Sequence, residues 1–325
     1  MFRLAAILIL LMLSLAGRAN DYPYPFIETQ NPTLMGEWTR IVMPLKRSGN
    51  LLLIQGKIDS IQGDFILDTG APYLILNATY FHNYSTGNAT GMSGVDGANA
   101  MVKRGYVNEV NFGELQYRNV DCDVVPLGQL ENKVGSKILG LFGTNLFSDF
   151  KVYIDAQQGQ MILYRKNANN EFVEQPELDS LVFAKASKMP ELRIPFKWCD
   201  NKIFMPVEVG GVNMNWMFDT GAESNVIDAM VKKKALKEFN VQRRVTLTGT
   251  GGSKQEVFLG TLNELSVGDR KFEMQTTILT GMKELNETCS VFVDGILGHS
   301  FYSQGIFSID FSSREFCLYL YVTND

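Results

Sequence analysis

Histidine is scarce in this 325-residue chain: His82 and His299 are its only two, with no second histidine near either in sequence. A Ser-His-Asp or Cys-His nucleophile would have to be built on one of them, and a zinc site would lack its preferred ligands. Cysteine is sparse too, and Cys122, Cys199, Cys289 and Cys317 show no C-x-x-C spacing. Four cysteines allow three pairings, and the sequence selects none of them. Charged residues make up 20% of the chain, with a formal net charge of -5, which argues against a basic nucleic-acid-binding face. The 29 glycines form neither a GxxxxGK[ST] loop nor a strand-linked GxGxxG, so no phosphate cradle is expected. Neither a metal nor an organic cofactor is therefore expected. Beyond the N-terminus no apolar run approaches the roughly 20 residues needed to cross a bilayer.

At the N-terminus Arg3 precedes an apolar run over 4–13, and small residues follow as far as Ala19. This pattern predicts a secretory signal over 1–19, cleaved after Ala19 or Ala16, and an exported product, periplasmic or extracellular, that leaves the membrane. An uncleaved anchor is the alternative. Asn-x-Ser/Thr triplets at Asn77, Asn83, Asn88 and Asn286 fit glycosylation sequons, which matter only in a eukaryotic secretory chain.

The most informative feature is a repeat. Phe65-Ile66-Leu67-Asp68-Thr69-Gly70-Ala71 returns as Trp216-Met217-Phe218-Asp219-Thr220-Gly221-Ala222, 151 positions later. The apolar strand pairs before the two motifs, 51–67 and 202–218, match at the same offset. Further on, Gly94, Gly97, Gly105, Asn108, Glu109 and Gly113 match Gly249, Gly252, Gly260, Asn263, Glu264 and Gly268 at an offset of 155. Ile138-Leu139-Gly140 is aligned with Ile296-Leu297-Gly298 at 158, and 151–155 with 306–310 at 155. The chain is read as two homologous halves, 20–170 and 191–325, joined by a linker over 171–190. Each half is mostly short strands between turn residues, which predicts a compact β-barrel-like lobe. A helix is expected over 224–239, capped by Ser224, with short helices following each Ile-Leu-Gly.

Asp-Thr-Gly at the end of an apolar strand places a carboxylate at the mouth of a buried strand. Asp-Thr-Gly-Ala, a glycine-rich hairpin some thirty residues on, and a closing Ile-Leu-Gly resemble the pepsin and retropepsin superfamily. Both halves carry the set, so the chain is similar to tandem retropepsin-like proteins such as the bacterial exported aspartyl proteases. The resemblance implies a mostly β, bilobed acid-protease fold of two pseudo-twofold-related closed barrels, working as a monomeric endopeptidase on an extended polypeptide held between the lobes. It implies a catalytic dyad of Asp68 and Asp219, with Thr69 and Thr220 bridging the lobes. Gly70 and Gly221 would let the backbone turn tightly beneath the carboxylates. Gly94, Gly97, Gly251 and Gly252 would be flap glycines over the substrate.

Two carboxylates about 3 Å apart share one proton, so one can take a proton from water while the other donates to the carbonyl oxygen. The sequence alone does not say which aspartate starts as base. Ala71 and Ala222 stand where pepsin-like enzymes often place a hydroxyl that bonds the carboxylate. Its absence should raise the dyad's titration and give an optimum less acidic than pepsin's. Two departures stand out: there is no tyrosine between Gly87 and Gly105, where the pepsin branch has its flap tyrosine, and Pro72 matches Glu223, which is expected to be a surface or cap-region acid. The competing reading is a catalytically silent, peptide-binding protein of the same fold.

Overall fold

Turn chemistry opens each half in the same way. Strands Leu51–Ile58 and Ile61–Leu67 meet at Asp59, which adopts φ 51°. Strands Lys202–Val209 and Val212–Phe218 meet at Gly210 and Gly211, with φ 57° and 70°. Tight hairpins need such left-handed conformations, which glycine and aspartate tolerate better than branched residues. The computed structural model describes residues 7–8, 32–93, 99–167, 169, 171–172, 186–248, 254–287 and 289–322.

From each opening hairpin a ring of strands is built. In the first half the order is Leu51–Ile58, Ile61–Leu67, Ile138–Phe142, Leu74–Asn77, Leu115–Val125 and Asn99–Phe112, and the last returns to the first through Lys57 opposite Asn111. In the second it is Lys202–Val209, Val212–Phe218, Gly295–Leu297, Asn225–Asp228, Arg270–Thr280 and Lys254–Val267, closed by Val207 opposite Val267. Closure pairs these six strands all round, with Ser85–Ser93 and Phe239–Thr248 added outside the rings against Asn99–Phe112 and Lys254–Val267. The expected mostly β, two-lobed architecture is what the chain adopts.

A third layer joins the lobes. Leu192–Pro195, Glu315–Leu320, Gly305–Asp310, Lys151–Asp155, Gln160–Tyr164 and Arg40–Ser48 pair successively. A single buried cluster spans both halves and includes Leu67, Phe142, Phe147, Phe218, Phe301, Phe307 and Phe316. Smaller matching clusters form a floor beneath each aspartate loop, around Leu53, Ile66, Ala71 and Ile75 in one lobe and Phe204, Met217, Ala222 and Val226 in the other.

Two sequence expectations need correction. The helix expected over 224–239 is a strand, Asn225–Asp228, followed only by a short helix, Lys233–Leu236. Val226 and Ile227 are β-branched and fully buried between two neighbouring strands, while Met230, assigned to the apolar helix face, is 81% exposed. The short helices expected after the closing motifs are present as Thr144–Leu146 and His299–Tyr302.

The second correction concerns the closing motifs themselves. Leu67 pairs with Phe142 and Phe218 with Leu297, so Gly140–Gly143 matches Gly295–Gly298 at an offset of 155 rather than 158. The fixed point is the last glycine of each. A Cβ on Gly143 would lie 2.1 Å from the Tyr73 carbonyl oxygen, and one on Gly298 2.4 Å from that of Ser224. The Ile-Leu pair that suggested the other alignment is generic strand sequence.

The expected signal segment lies outside the described residues except for Ile7–Leu8, a short strand beside Leu247–Thr248. No helix among the described residues is long and apolar enough to cross a membrane.

Candidate active site

Asp68 and Asp219 each stand one residue past a buried strand, with their amides bonded to the carbonyls of Phe142 (3.1 Å) and Leu297 (3.0 Å). That second bond turns each chain end inward to the lobe interface. The threonines then lock the two loops together. Thr69 N donates to Thr220 Oγ1 (3.0 Å) and Thr220 N to Thr69 Oγ1 (2.9 Å). Each hydroxyl donates onward across the interface, Thr69 Oγ1 to Phe218 O (2.9 Å) and Thr220 Oγ1 to Leu67 O (2.8 Å). All four groups are buried, so each bond would be expensive to leave unmade.

The glycines prove to be required for a reason other than backbone conformation. A Cβ on Gly70 would stand 2.8 Å from the Asp219 carboxyl carbon, and a Cβ on Gly221 2.8 Å from that of Asp68. Each carboxyl therefore rests on the glycine of the opposite loop, and the two acids share one buried site. Ala71 and Ala222 are 1% and 0% exposed and complete the loops.

The two acids differ in their hydrogen bonds. Asp68 Oδ1 accepts from Gly70 N (2.8 Å) and Ala71 N (3.0 Å). Asp219 Oδ1 accepts from Gly221 N (2.8 Å), whereas its Oδ2 is buried without a hydrogen-bond partner. Burial pushes Asp68 up to about 6, moderated by its contacts to Asp219 and those amides. Asp219 is raised well above the usual carboxylate range by burial and then by the charge of Asp68. Both acids are thus held above the ordinary carboxylate range, as two carboxyls in one buried site should be.

The loops are braced from behind by matched contacts. Asn201 Nδ2 donates to Pro72 O (3.3 Å) and Asn50 Nδ2 to Glu223 O (3.0 Å). Thr144 N bonds Ala71 O and His299 N bonds Ala222 O, both at 2.9 Å. His299 is the first residue of the short helix, capped at Gly298 without a side-chain bond, and its ring packs edge-on against Tyr302 at 5.3 Å rather than capping the helix. Its ring is lowered to about 4 by burial and by Arg47, whose Nη2 lies 3.4 Å from Nε2. His82 is exposed. Glu223 is no surface acid: its Oε2 lies 2.6 Å from Lys133 Nζ of the other lobe, and its side chain is 13% exposed.

The flap glycines Gly94, Gly97, Gly251 and Gly252 lie outside the described residues. Their flanking strands do form hairpins, with Ser93 opposite Asn99 and Thr248 opposite Lys254. Cys122 and Cys317 are buried, and Cys199 and Cys289 pack half-buried against one apolar cluster. Sequence reasoning passed over one residue near the dyad, Lys202, which is 1% exposed and acts on Asp68 by its charge. The signal was a charged residue heading a strand whose counterpart begins with Leu51.

Compared with known families, residues 54–146 and 205–301 each match the family described as aspartyl protease. No curated protein matches the chain.

Proposed function

As a member of the aspartyl protease family with two retropepsin-like units in tandem, the chain is one in which, we propose, Asp68 and Asp219 form a single dyad that hydrolyses peptide bonds with an activated water. The observation that carries this reading is the shared burial of the two carboxyls, each seated on the other loop's glycine. In the singly protonated dyad the carboxylate takes a proton from water as the oxygen bonds to the peptide carbonyl carbon. The protonated partner gives its proton to the carbonyl oxygen, so no free oxyanion forms. Collapse of the tetrahedral diol breaks the C–N bond, returns a proton to the dyad and passes another to the leaving nitrogen. The chemistry needs neither a metal nor an organic cofactor.

The substrate is an extended polypeptide between the lobes, bound partly through its backbone, and the protein works as an exported monomer. The site is rigid because its loops are bonded to each other and not only to their own lobes, which is the preorganisation such electrostatic catalysis requires.

A peptide-library digest across pH 3 to 8 tests the reading. Wild type should cut internal bonds fastest in the mildly acidic to neutral range, and Asp68→Asn and Asp219→Asn should each lose on the order of 10³-fold or more in kcat. A wild type that binds extended peptides but cuts none would overturn it in favour of a peptide-binding protein of the same fold.

A further inference from the structure

Lys202 and Leu51 occupy matched positions, each the first residue of the strand that leads into an aspartate hairpin. Leu51 is 1% exposed and belongs to the apolar floor of its lobe, with Leu53, Ile66, Ala71 and Ile75. The opposite floor is built from the matching Phe204, Met217, Ala222 and Val226, but at the position of Leu51 it carries an ammonium group that is likewise 1% exposed. A lysine at that depth is costly unless it acts on an opposite charge.

The turn before Lys202 shows which charge that is. Asn201 Nδ2 donates to Pro72 O (3.3 Å), Thr144 Oγ1 donates to Asn201 O (2.6 Å), and Thr144 N donates to Ala71 O (2.9 Å). The head of the strand is thereby fixed against the loop of Asp68, in the other lobe, rather than against the loop of its own Asp219. The charged and titratable groups around the dyad divide accordingly. Lys202 favours the charged forms of Asp68 and of the nearby Asp200. On the other side stand Tyr302, Arg47, His299 and Glu223, with Glu223 paired to Lys133 at 2.6 Å.

We infer that Lys202 is a positioning residue that breaks the dyad's symmetry, making Asp68 the carboxylate that accepts the water's proton and Asp219 the acid that donates to the carbonyl oxygen. The inference rests on the peptidase reading above. Independent hydrogen bonding agrees with it. Asp68 Oδ1 accepts from two amides of its own loop, Gly70 and Ala71, whereas Asp219 has only Gly221 from its own loop, at 2.8 Å, and is otherwise acted on by the Gly70 amide of the opposite loop. Asp219 Oδ2, buried and without a donor, suits the oxygen that carries the proton.

The test compares wild type with Lys202→Met, which keeps bulk without charge, and Lys202→Arg, which keeps charge. Carboxyl 13C NMR titration, assigned with Asp68→Asn and Asp219→Asn, reads the ionisation order without any need for turnover. Asp68 should ionise first. Lys202→Met should raise that midpoint by about one pH unit and carry the acid limb of kcat/KM with it, while Lys202→Arg should stay near wild type. Asp219 ionising first, or a midpoint unmoved in Lys202→Met, overturns the inference. If Lys202→Met does not fold, the order of ionisation in wild type decides alone. If wild type cuts no peptide, the peptidase reading falls while the titration still decides what Lys202 does.

Discussion

At the scale of single residues, the proposed dyad is a site whose chemistry conflicts with stability. Both aspartates are ionised in an unfolded chain at neutral pH, yet the folded site holds Asp219 well above the ordinary carboxylate range and Asp68 near 6. The folded state therefore binds more protons than the unfolded one, and the dyad's contribution to stability falls as pH rises from about 4 through 6 and beyond. Asp219→Asn keeps an acceptor for Gly221 N and has no proton to take up. It should raise the melting temperature at pH 7, and the difference from wild type should vanish near pH 3. Equal melting temperatures at pH 7 would mean that the acids are less perturbed than their burial implies. Ala71 offers a second lever, because Asp68 already accepts from its amide at 3.0 Å. Ala71→Ser adds a hydroxyl donor to the charged form and should move the acid limb of kcat/KM down by about half to one pH unit. An acid limb that stays in place would show that the hydroxyl does not reach the carboxylate. These residues were legible in the sequence because the DTGA strings are short, identical and chemically specific. Lys202 was not, because its meaning lies in what packs against it and its own strand reads as ordinary.

At the scale of elements, legibility depended on whether a residue was required by its own strand or by a neighbour. The apolar runs of 51–67 and 202–218 are written in those segments and were read as strand pairs. The 224–239 segment has helical spacing, but Val226 and Ile227 are claimed by the strands on either side, and tertiary pairing overrides local pattern. The closing motifs were misaligned for a related reason: identical letters were followed, whereas the constraint is a glycine pressed on a carbonyl. That constraint makes a sharp prediction. Gly143→Ala would put a Cβ 2.1 Å from Tyr73 O, where only backbone can yield, and should destabilise the fold by more than about 3 kcal/mol in a denaturant titration. Gly135→Ala, where φ is 72° but nothing lies within 4 Å of the new atom, should cost only about 1 kcal/mol. Similar costs at the two positions would show that the contact at Gly143 relaxes easily.

At the scale of the whole molecule, the duplication is more than two similar lobes side by side. Segments 151–155 and 306–310 were recognised as copies of one another, but nothing in either says that they touch. In the fold they pair antiparallel, and Tyr153 lies opposite its own counterpart Ser308, so the pseudo-twofold axis runs between them. The reciprocal Thr69 and Thr220 bonds mark the same axis at the candidate active site. A strand pairing with its own copy across a twofold is a joint that neither half can satisfy alone, and the half-buried Lys133–Glu223 pair adds a second such joint. Unfolding one lobe would strip backbone partners, a half-buried ion pair and part of the common core from the other. The two lobes should therefore melt as one cooperative unit, with the calorimetric and van't Hoff enthalpies of the main transition in agreement. Phe307 tests the joint directly: it is fully buried, pairs with Ile154 of the other lobe and lies 5.2 Å from the Phe218 ring behind Asp219. Phe307→Ala should cost about 3–5 kcal/mol and lower the single transition without splitting it. Two resolved transitions, one of them at the wild-type temperature, would show that the lobes are stable independently and that the dyad is assembled by docking finished domains.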